Sequence, residues 1–156
     1  MGQEIERKFL VEDRPPGLDD HPHDAIEQGY VAVDENAEVR VRRRGGDCTL
    51  TIKSAPARTR VEEEIAIEPE RFEALWALAD GRRIVKTRYL VPWEGVTVEV
   101  DEYHGALEGL RTAEVEFADE AASGAFPPPP WLGREITGDR RYANQTLADR
   151  AQNPSR

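Results

Sequence analysis

The feature that most constrains the fold of this chain is a strand-like alternation of charged and apolar side chains, which begins at its N-terminus. Successive side chains of a β-strand point to opposite faces, so residues 4–11 predict a strand with two different faces. The charged face carries Glu4, Glu6 and Lys8, and the apolar face carries Ile5, Phe9 and Val11. Another part of the chain must cover the apolar face, whereas the charged face can meet either water or a ligand.

The same alternation recurs along most of the chain, with the acidic and basic residues largely on different segments. The charged or polar positions are Arg40, Arg42 and Arg44; Thr51 and Lys53; Arg60, Glu62 and Glu64; Lys86 and Arg88; Glu99 and Asp101; and Glu114 and Glu116. Two arrangements fit this pattern. In an ordinary sheet the charges face solvent, and in a closed barrel they line the bore.

Lysine is used sparingly in this sequence. Of 21 basic residues only Lys8, Lys53 and Lys86 are lysines, and each lies on the charged face of a predicted strand. A lysine is a compact point charge that can lose its proton when desolvated, and arginine can do neither. The three lysines therefore support a functional charged face.

Composition limits the class of protein. The 156 residues predict a single domain over 1–152 with a disordered tail at 153–156. The net charge of −10 argues against a nucleic-acid partner, and the sequence has no apolar run of the ~20 residues that a membrane helix needs. The single Cys48 and the lack of a signal-peptide pattern predict a cytoplasmic protein. A homodimer is compatible with the sequence, which does not determine the oligomeric state.

Turn residues divide the chain into eight predicted strands and three helices. The strands are 3–11, 25–33, 38–44, 48–54, 59–67, 82–92, 96–103 and 112–117, and the helices are 70–79, 119–125 and 142–150. The predicted class is mainly β (α+β). Eight antiparallel strands avoid exposed edges by closing into a barrel, so we expect a closed β-barrel with a few covering helices.

A barrel of eight strands has room for side chains or one small ligand. If its bore carries the charged face, the carboxylates would favour a hard divalent cation such as Mg²⁺ or Mn²⁺. The arginine and lysine side chains would favour a polyanion with several phosphate groups. The pattern thus predicts a site for a metal-bound polyphosphate.

The motifs resemble those of the CYTH superfamily, the triphosphate tunnel metalloenzymes. Residues 4–8 match its E-x-E-x-K signature. The likeness continues in order through 28–30, 40–42, 51–53, 60–64, 86–89, 99–101, 114–116 and 135–142. The resemblance implies an eight-stranded antiparallel barrel with a charged tunnel, in which triphosphates are cleaved or rearranged with a divalent metal.

The resemblance also implies a role for each matching residue. The metal ligands would be Glu4, Glu6 and Glu116. The substrate-binding residues would be Lys8, Arg40, Arg42, Lys53, Arg60, Lys86 and Arg88. The residues that orient the attacking water or hold a second metal would be Glu62, Glu64, Asp101 and Glu114, and Tyr30 with a lysine such as Lys86 would form a catalytic dyad.

The short bacterial members of this family imply metal-dependent hydrolysis of inorganic triphosphate to pyrophosphate and phosphate. Three alternatives stay open. The chain could be a class IV-type adenylyl cyclase, a hydrolase of thiamine or nucleoside triphosphates, or a polyphosphate-binding module without turnover. The complete acidic set favours an enzyme over a binding module. No cluster of aromatic and amide residues that could bind adenine stands beside the basic positions.

Overall fold

The computed structural model describes residues 5–54 and 61–152. The strands are β1 (Ile5–Leu10), β2 (His23–Val33), β3 (Ala37–Arg44), β4 (Asp47–Ser54), β5 (Glu62–Ala66), β6 (Arg83–Trp93), β7 (Val96–Tyr103) and β8 (Arg111–Phe117). The helices are α1 (Pro69–Leu78), α2 (Glu120–Ala125) and α3 (Asn144–Gln152). The predicted strands and helices are confirmed, with ends shifted by a few residues. The tail predicted at 153–156 lies outside the described residues.

Short turns make neighbouring strands antiparallel. Gly45 and Gly46 connect β3 to β4, and Glu94 and Gly95 connect β6 to β7. Glu94 and Gly95 both have positive φ, at 46° and 80°, as a tight two-residue hairpin requires. These turns fix the register that places the charged residues side by side.

The contacts divide the chain into two compact units. Among the described residues, unit 1 comprises 25–54, 61–85 and 143–152, and unit 2 comprises 5–24 and 86–142. In unit 1 the strands pair in the order β2-β3-β4-β5, and in unit 2 in the order β1-β8-β7-β6. The single domain predicted over 1–152 stays a prediction.

In each unit the core is formed by the apolar face of the strands, as the alternation predicts, except near the outer strand β5, where Ile52 and Ile65 are exposed. In unit 1, Val41 and Cys48 pack beneath α1, whose Phe72 is fully buried. In unit 2, Phe9, Val98, Val100 and Val115 pack with Phe126, which follows α2. The charged residues therefore lie on the opposite face of the strands.

The closed barrel expected from the sequence is not what the structure shows. The eight strands belong to one antiparallel sheet with β1 and β5 as its outer strands, and no pairing joins these two among the described residues. The free edge of β1 is instead occupied by residues 133–137, which we call the edge segment. The Gly133 amide donates to the Leu10 carbonyl at 2.7 Å, and the Ile136 amide donates to the Lys8 carbonyl at 2.8 Å. The edge segment thus satisfies main-chain groups on the outer edge of β1, which no longer need a partner strand.

None of the helices within residues 5–54 and 61–152 is long and apolar enough to span a membrane.

Candidate active site

Unit 1 aligns polar residues from four strands in one row. Tyr30 on β2 lies opposite Arg40 on β3, Arg40 lies opposite Thr51 on β4, and Thr51 lies opposite Glu64 on β5. Because directly opposed residues share a face of a sheet, the four side chains point to the same side. This row brings together three of the predicted site residues, namely Tyr30, Arg40 and Glu64.

Arg40 is a buried cation at the centre of this row, with 7% of its surface exposed. Its Nη2 donates to the Thr51 hydroxyl at 3.4 Å and lies 4.0 Å from Glu64. The Thr51 hydroxyl in turn donates to Glu64 at 3.0 Å. The Arg40 Nε is buried and has no hydrogen-bond partner among residues 5–54 and 61–152. A buried N–H that is left unbonded is costly, so this donor is available to an anion.

A second row in unit 1 centres on Gln28, which is fully buried. Gln28 lies opposite Arg42 in the sheet, and its Oε1 accepts hydrogen bonds from Arg42 Nε at 3.2 Å and from Nη2 at 3.0 Å. The Gln28 Nε2 donates to the Tyr30 hydroxyl at 2.8 Å. Burial raises the pKa of Tyr30 to about 12 against an opposing effect of Arg40, so the phenol is neutral near pH 7. The structure thus couples two predicted site residues through Gln28.

Lys53 and Glu62 form the third row of unit 1. They lie opposite each other on β4 and β5, with Lys53 Nζ 3.8 Å from a Glu62 oxygen. β5 is an outer strand, and Glu62, Glu63 and Glu64 are exposed. The predicted acids of β5 therefore stand at the margin of the charged face, where water can reach them.

Unit 2 holds a buried ionic cluster around Asp101, which is 4% exposed. Lys86 Nζ donates to Asp101 Oδ2 at 2.8 Å, and Arg88 donates through Nε and Nη2 at 2.8 and 2.9 Å. Burial opposes the ionisation of Asp101, but the charges of Lys86 and Arg88 outweigh it and hold the pKa of this carboxyl well below its ordinary range. The three predicted site residues are brought together, with the carboxylate engaged by both bases.

Arg88 also reaches Glu99, with 3.3 Å between Nη1 and Oε2. Burial lowers the pKa of Arg88, but the negative charges of Asp101, Glu99 and Glu114 outweigh this effect and raise it above its ordinary value. The guanidinium therefore stays charged. Lys86 also lies over the ring of Tyr103, with Nζ 5.4 Å from the centroid. The Tyr30 hydroxyl accepts a hydrogen bond from Gln28, and the predicted Tyr30–lysine dyad stays a prediction.

Carboxylates face one another across adjacent strands of unit 2. Glu6 lies opposite Glu116, and Glu99 lies opposite Glu114. Glu99 and Glu116, with Gly95, Val96 and Thr97, line an open cavity of about 400 Å³. Within residues 5–54 and 61–152, no three acidic, histidine or cysteine side chains converge closely enough to hold a metal ion on their own. Any cation at these carboxylates would need further ligands from a substrate or water.

Both the main chain and the side chain of Lys8 bind the C-terminal part of unit 2. Its amide donates to the Thr137 hydroxyl at 3.0 Å, and its Nζ donates to the Tyr142 carbonyl at 2.7 Å. Arg7 anchors the same region through a two-bond pair with Glu135, at 3.0 and 2.7 Å. The position of Lys8 therefore depends on the edge segment.

Two predicted site residues, Glu4 and Arg60, lie outside the described residues. Conversely, the sequence prediction gave no role to Gln28, to Thr51 or to the edge segment. Gln28 lies two residues before Tyr30, and Thr51 lies two residues before Lys53, so each points to the same face as its predicted neighbour. This spacing was the sequence signal for both residues. For the edge segment, the family likeness over 135–142 was the signal, but strand alternation did not predict its main-chain pairing with β1.

The comparisons with known proteins agree over nearly the whole chain. An inorganic triphosphatase of Nitrosomonas europaea is 44% identical over 149 residues, covering 93% of this chain and 96% of that protein. An inorganic triphosphatase of Acetivibrio thermocellus is 42% identical over 151 residues, covering 94% of each chain. A crystal structure of an inorganic triphosphatase matches with a TM-score of 0.75 and 42% identity, covering 96% of both chains. The CYTH domain model matches residues 2–149, so this chain belongs to the CYTH domain family.

Proposed function

We propose that this protein is an enzyme that hydrolyses inorganic triphosphate to pyrophosphate and phosphate. The relatives that match over more than nine-tenths of the chain carry that activity in their names. The reaction fits a candidate site whose predicted residues are mostly charged.

The observation that carries the proposal is Arg40. It is buried on the charged face, and its Nε–H has no partner in the described part of the chain. Guanidinium groups match the geometry of phosphate oxygens, and a charge-assisted hydrogen bond to such an oxygen would satisfy the donor. Arg42 and Lys53 lie on the same face of β3 and β4 and would contact further oxygens of the same phosphate chain.

The carboxylates of unit 2 fit a divalent cation that is shared with the substrate. Mg²⁺ in phosphate-transfer sites uses one or two carboxylates together with phosphate oxygens and water, rather than a cage made of protein ligands. Glu6 and Glu116, which oppose each other on β1 and β8, provide such a pair, and Glu4 would add a third carboxylate. Bound Mg²⁺ or Mn²⁺ would neutralise phosphate charge as the bond to the leaving group breaks.

Charge neutralisation and positioning account for the rest of the proposed chemistry. A water attacks the terminal phosphorus, the P–O bond to the bridging oxygen breaks, and pyrophosphate leaves. Arg40, Arg42 and Lys53 hold phosphate oxygens. Tyr30, neutral at pH 7, donates a hydrogen bond. Asp101 holds Lys86 and Arg88 in place, because both bases already bind its carboxylate. Glu64, half exposed on β5, is the better candidate to orient water.

Location and assembly rest on composition alone. The proposals are a cytoplasmic protein without a nucleic-acid or membrane partner, and an assembly for which a homodimer is compatible with the sequence.

The substrate experiment measures kcat/KM for triphosphate, ATP, thiamine triphosphate and pyrophosphate under Mg²⁺ and under Mn²⁺, with cyclic AMP quantified in the ATP reaction. We expect triphosphate to be favoured over ATP by about 100-fold, because losing two charge-assisted contacts of ~1.5 kcal/mol each gives that ratio. Excess EDTA should abolish turnover. Substantial cyclic AMP would instead establish the adenylyl cyclase alternative, and full activity in EDTA would contradict the metal requirement.

A further inference from the structure

Gln28 connects two residues of the charged face from a buried position. Its side chain is fully buried in unit 1, yet three hydrogen bonds connect it to two charged-face residues. Both bonds to Arg42 use the Gln28 oxygen, and the bond to Tyr30 uses the nitrogen. Its amide is therefore satisfied on both sides by residues that belong to the candidate site.

The orientation of the Gln28 amide is determined by Arg42. A guanidinium has only donors, so the group that faces Arg42 must be the carbonyl oxygen. The NH₂ group then faces Tyr30, and the Tyr30 oxygen must accept this hydrogen bond. A hydroxyl that accepts from one neighbour keeps its own proton for another partner.

The ionisation state of Tyr30 agrees with a hydrogen bond that Gln28 donates and Tyr30 accepts. With its pKa raised to about 12 by burial, Tyr30 is a phenolate in only about one molecule in 10⁵ near pH 7. The hydroxyl lies in the row of Arg40, the cation whose Nε has no protein partner. The Tyr30 hydroxyl proton, directed away from Gln28, and the Arg40 Nε–H lie in one row. Both donors are suited to bind the same anionic oxygen.

We infer that Gln28 is a positioning residue for the proposed triphosphate hydrolysis: it orients the Arg42 guanidinium for phosphate binding and fixes Tyr30 as a hydrogen-bond donor to the reacting phosphate. This inference rests on the proposed function. It gives the two halves of the glutamine amide separate effects, on substrate affinity through Arg42 and on turnover through Tyr30.

The test is a pair of double-mutant cycles built on Gln28→Met, which keeps the length and volume of the side chain and removes its hydrogen bonds. Alone, Gln28→Met should raise KM for triphosphate about tenfold and lower kcat about tenfold, since each lost interaction is of the order of one hydrogen bond to a charged or reacting group. In a Tyr30→Phe background, the kcat effect of Gln28→Met should vanish. In an Arg42→Ala background, its KM effect should vanish.

Additive effects in both backgrounds would overturn the inference, because residues that act through one hydrogen-bond network must couple. A merely structural glutamine would couple to both partners in stability, without the separation into a kcat effect through Tyr30 and a KM effect through Arg42. Glu27→Gln is the matched control: Glu27 neighbours Gln28 on β2 but faces the other side, where it pairs with Arg43. This control should leave both kinetic constants within about twofold of wild type, because Glu27 pairs with Arg43 on the other face of the sheet.

Two further measurements keep the inference testable. If Gln28→Met fails to fold, Gln28→Glu retains acceptors for both neighbours but lacks the donor, so the Tyr30 proton would turn toward residue 28. Its loss of kcat should again vanish in the Tyr30→Phe background. Calorimetric binding of triphosphate tests the Arg42 half without turnover. If wild-type protein binds triphosphate without cleaving it, the proposed function fails, whereas the loss of affinity in Gln28→Met and its absence in the Arg42→Ala background still decide the Arg42 half.

Discussion

At the scale of single residues, the same residue type has different roles on the two faces of one strand. Arg40 and Arg43 both lie on β3, but they point to opposite faces. Arg40 lies on the charged face with an open N–H. Arg43 binds Glu27 at 2.6 Å and Glu73 at 2.7 Å and covers the Phe72 ring at 4.7 Å. Position relative to the core, not charge, separates the proposed ligand contact of Arg40 from the structural contacts of Arg43.

Arg40→Ala should therefore raise KM for triphosphate at least ~10-fold, because a charge-assisted hydrogen bond contributes ~1.5–3 kcal/mol. Arg43→Ala is its control on the same strand and should leave KM nearly unchanged while lowering the melting temperature. Steady-state kinetics and thermal denaturation of both variants provide the comparison. Equal increases in KM would mean that the two faces of β3 have been assigned incorrectly.

Asp101 illustrates how a buried charge depends on its partners. Asp101→Asn leaves Lys86 and Arg88 buried without their carboxylate, so we expect a loss of ~3–5 kcal/mol in the free energy of unfolding at pH 7. Because the folded pKa of Asp101 lies below its ordinary value, the stabilisation is complete above the unfolded pKa of ~3.9 and is lost as pH falls toward the folded pKa.

Urea denaturation of wild type and Asp101→Asn across the acid range measures this dependence. The difference between the two proteins should stay constant from neutral pH down to about 5 and shrink at lower pH. A difference that does not vary with pH, or that widens on acidification, would contradict the ionic account of the cluster.

At the scale of elements, the edge segment is the part of the structure that sequence patterns missed. Glu135 anchors it by binding Arg7, and it also accepts a hydrogen bond from Thr137 at 2.6 Å. Gly133 approaches so closely that an added Cβ would lie 2.9 Å from the Leu10 carbonyl oxygen. Because the Thr137 hydroxyl accepts a hydrogen bond from the Lys8 amide, the edge segment helps to position Lys8, a candidate phosphate ligand.

Glu135→Ala should loosen this segment without unfolding the unit. The pair with Arg7 is partly exposed, so we expect a cost of only ~0.5–1 kcal/mol in stability. Hydrogen exchange should accelerate in peptides covering 5–11 and 133–142, and KM for triphosphate should rise a few-fold as Lys8 loses its support. Glu120→Ala, at an exposed position of α2 in the same unit, should change neither. Unchanged exchange in Glu135→Ala would show that the main-chain bonds alone hold the segment.

At the scale of the whole molecule, the protein combines a net charge of −10 with clusters of buried bases. Such a surface repels polyanions at long range, so local neutralisation must provide the affinity. Arg40, Lys86 and Arg88 are all less than a tenth exposed. A divalent cation that accompanies the substrate would reduce both the repulsion and the charge to be bound.

The sequence by itself determined the strands, the helices and the face of each strand that carries charge. A period of two is a local property, and Gly45-Gly46 and Glu94-Gly95 set the hairpin registers within a few residues. Hence the predicted strand and helix positions are confirmed, and so is the division into an apolar core face and a charged face. The motif resemblance likewise placed the chain in its family before any contact was known.

Tertiary structure alone decided which side chains bind one another and where the sheet ends. Pairing of β1 with 133–137 depends on main-chain groups that are far apart in the sequence, such as those of Phe9 and Glu135, and side-chain periodicity cannot encode such a pairing. The engagement of Asp101 by both Lys86 and Arg88, and of Gln28 by both Arg42 and Tyr30, follows from register between strands and from burial. Alternation can place a residue on a face, but distance and desolvation determine whether it binds substrate or positions a neighbour.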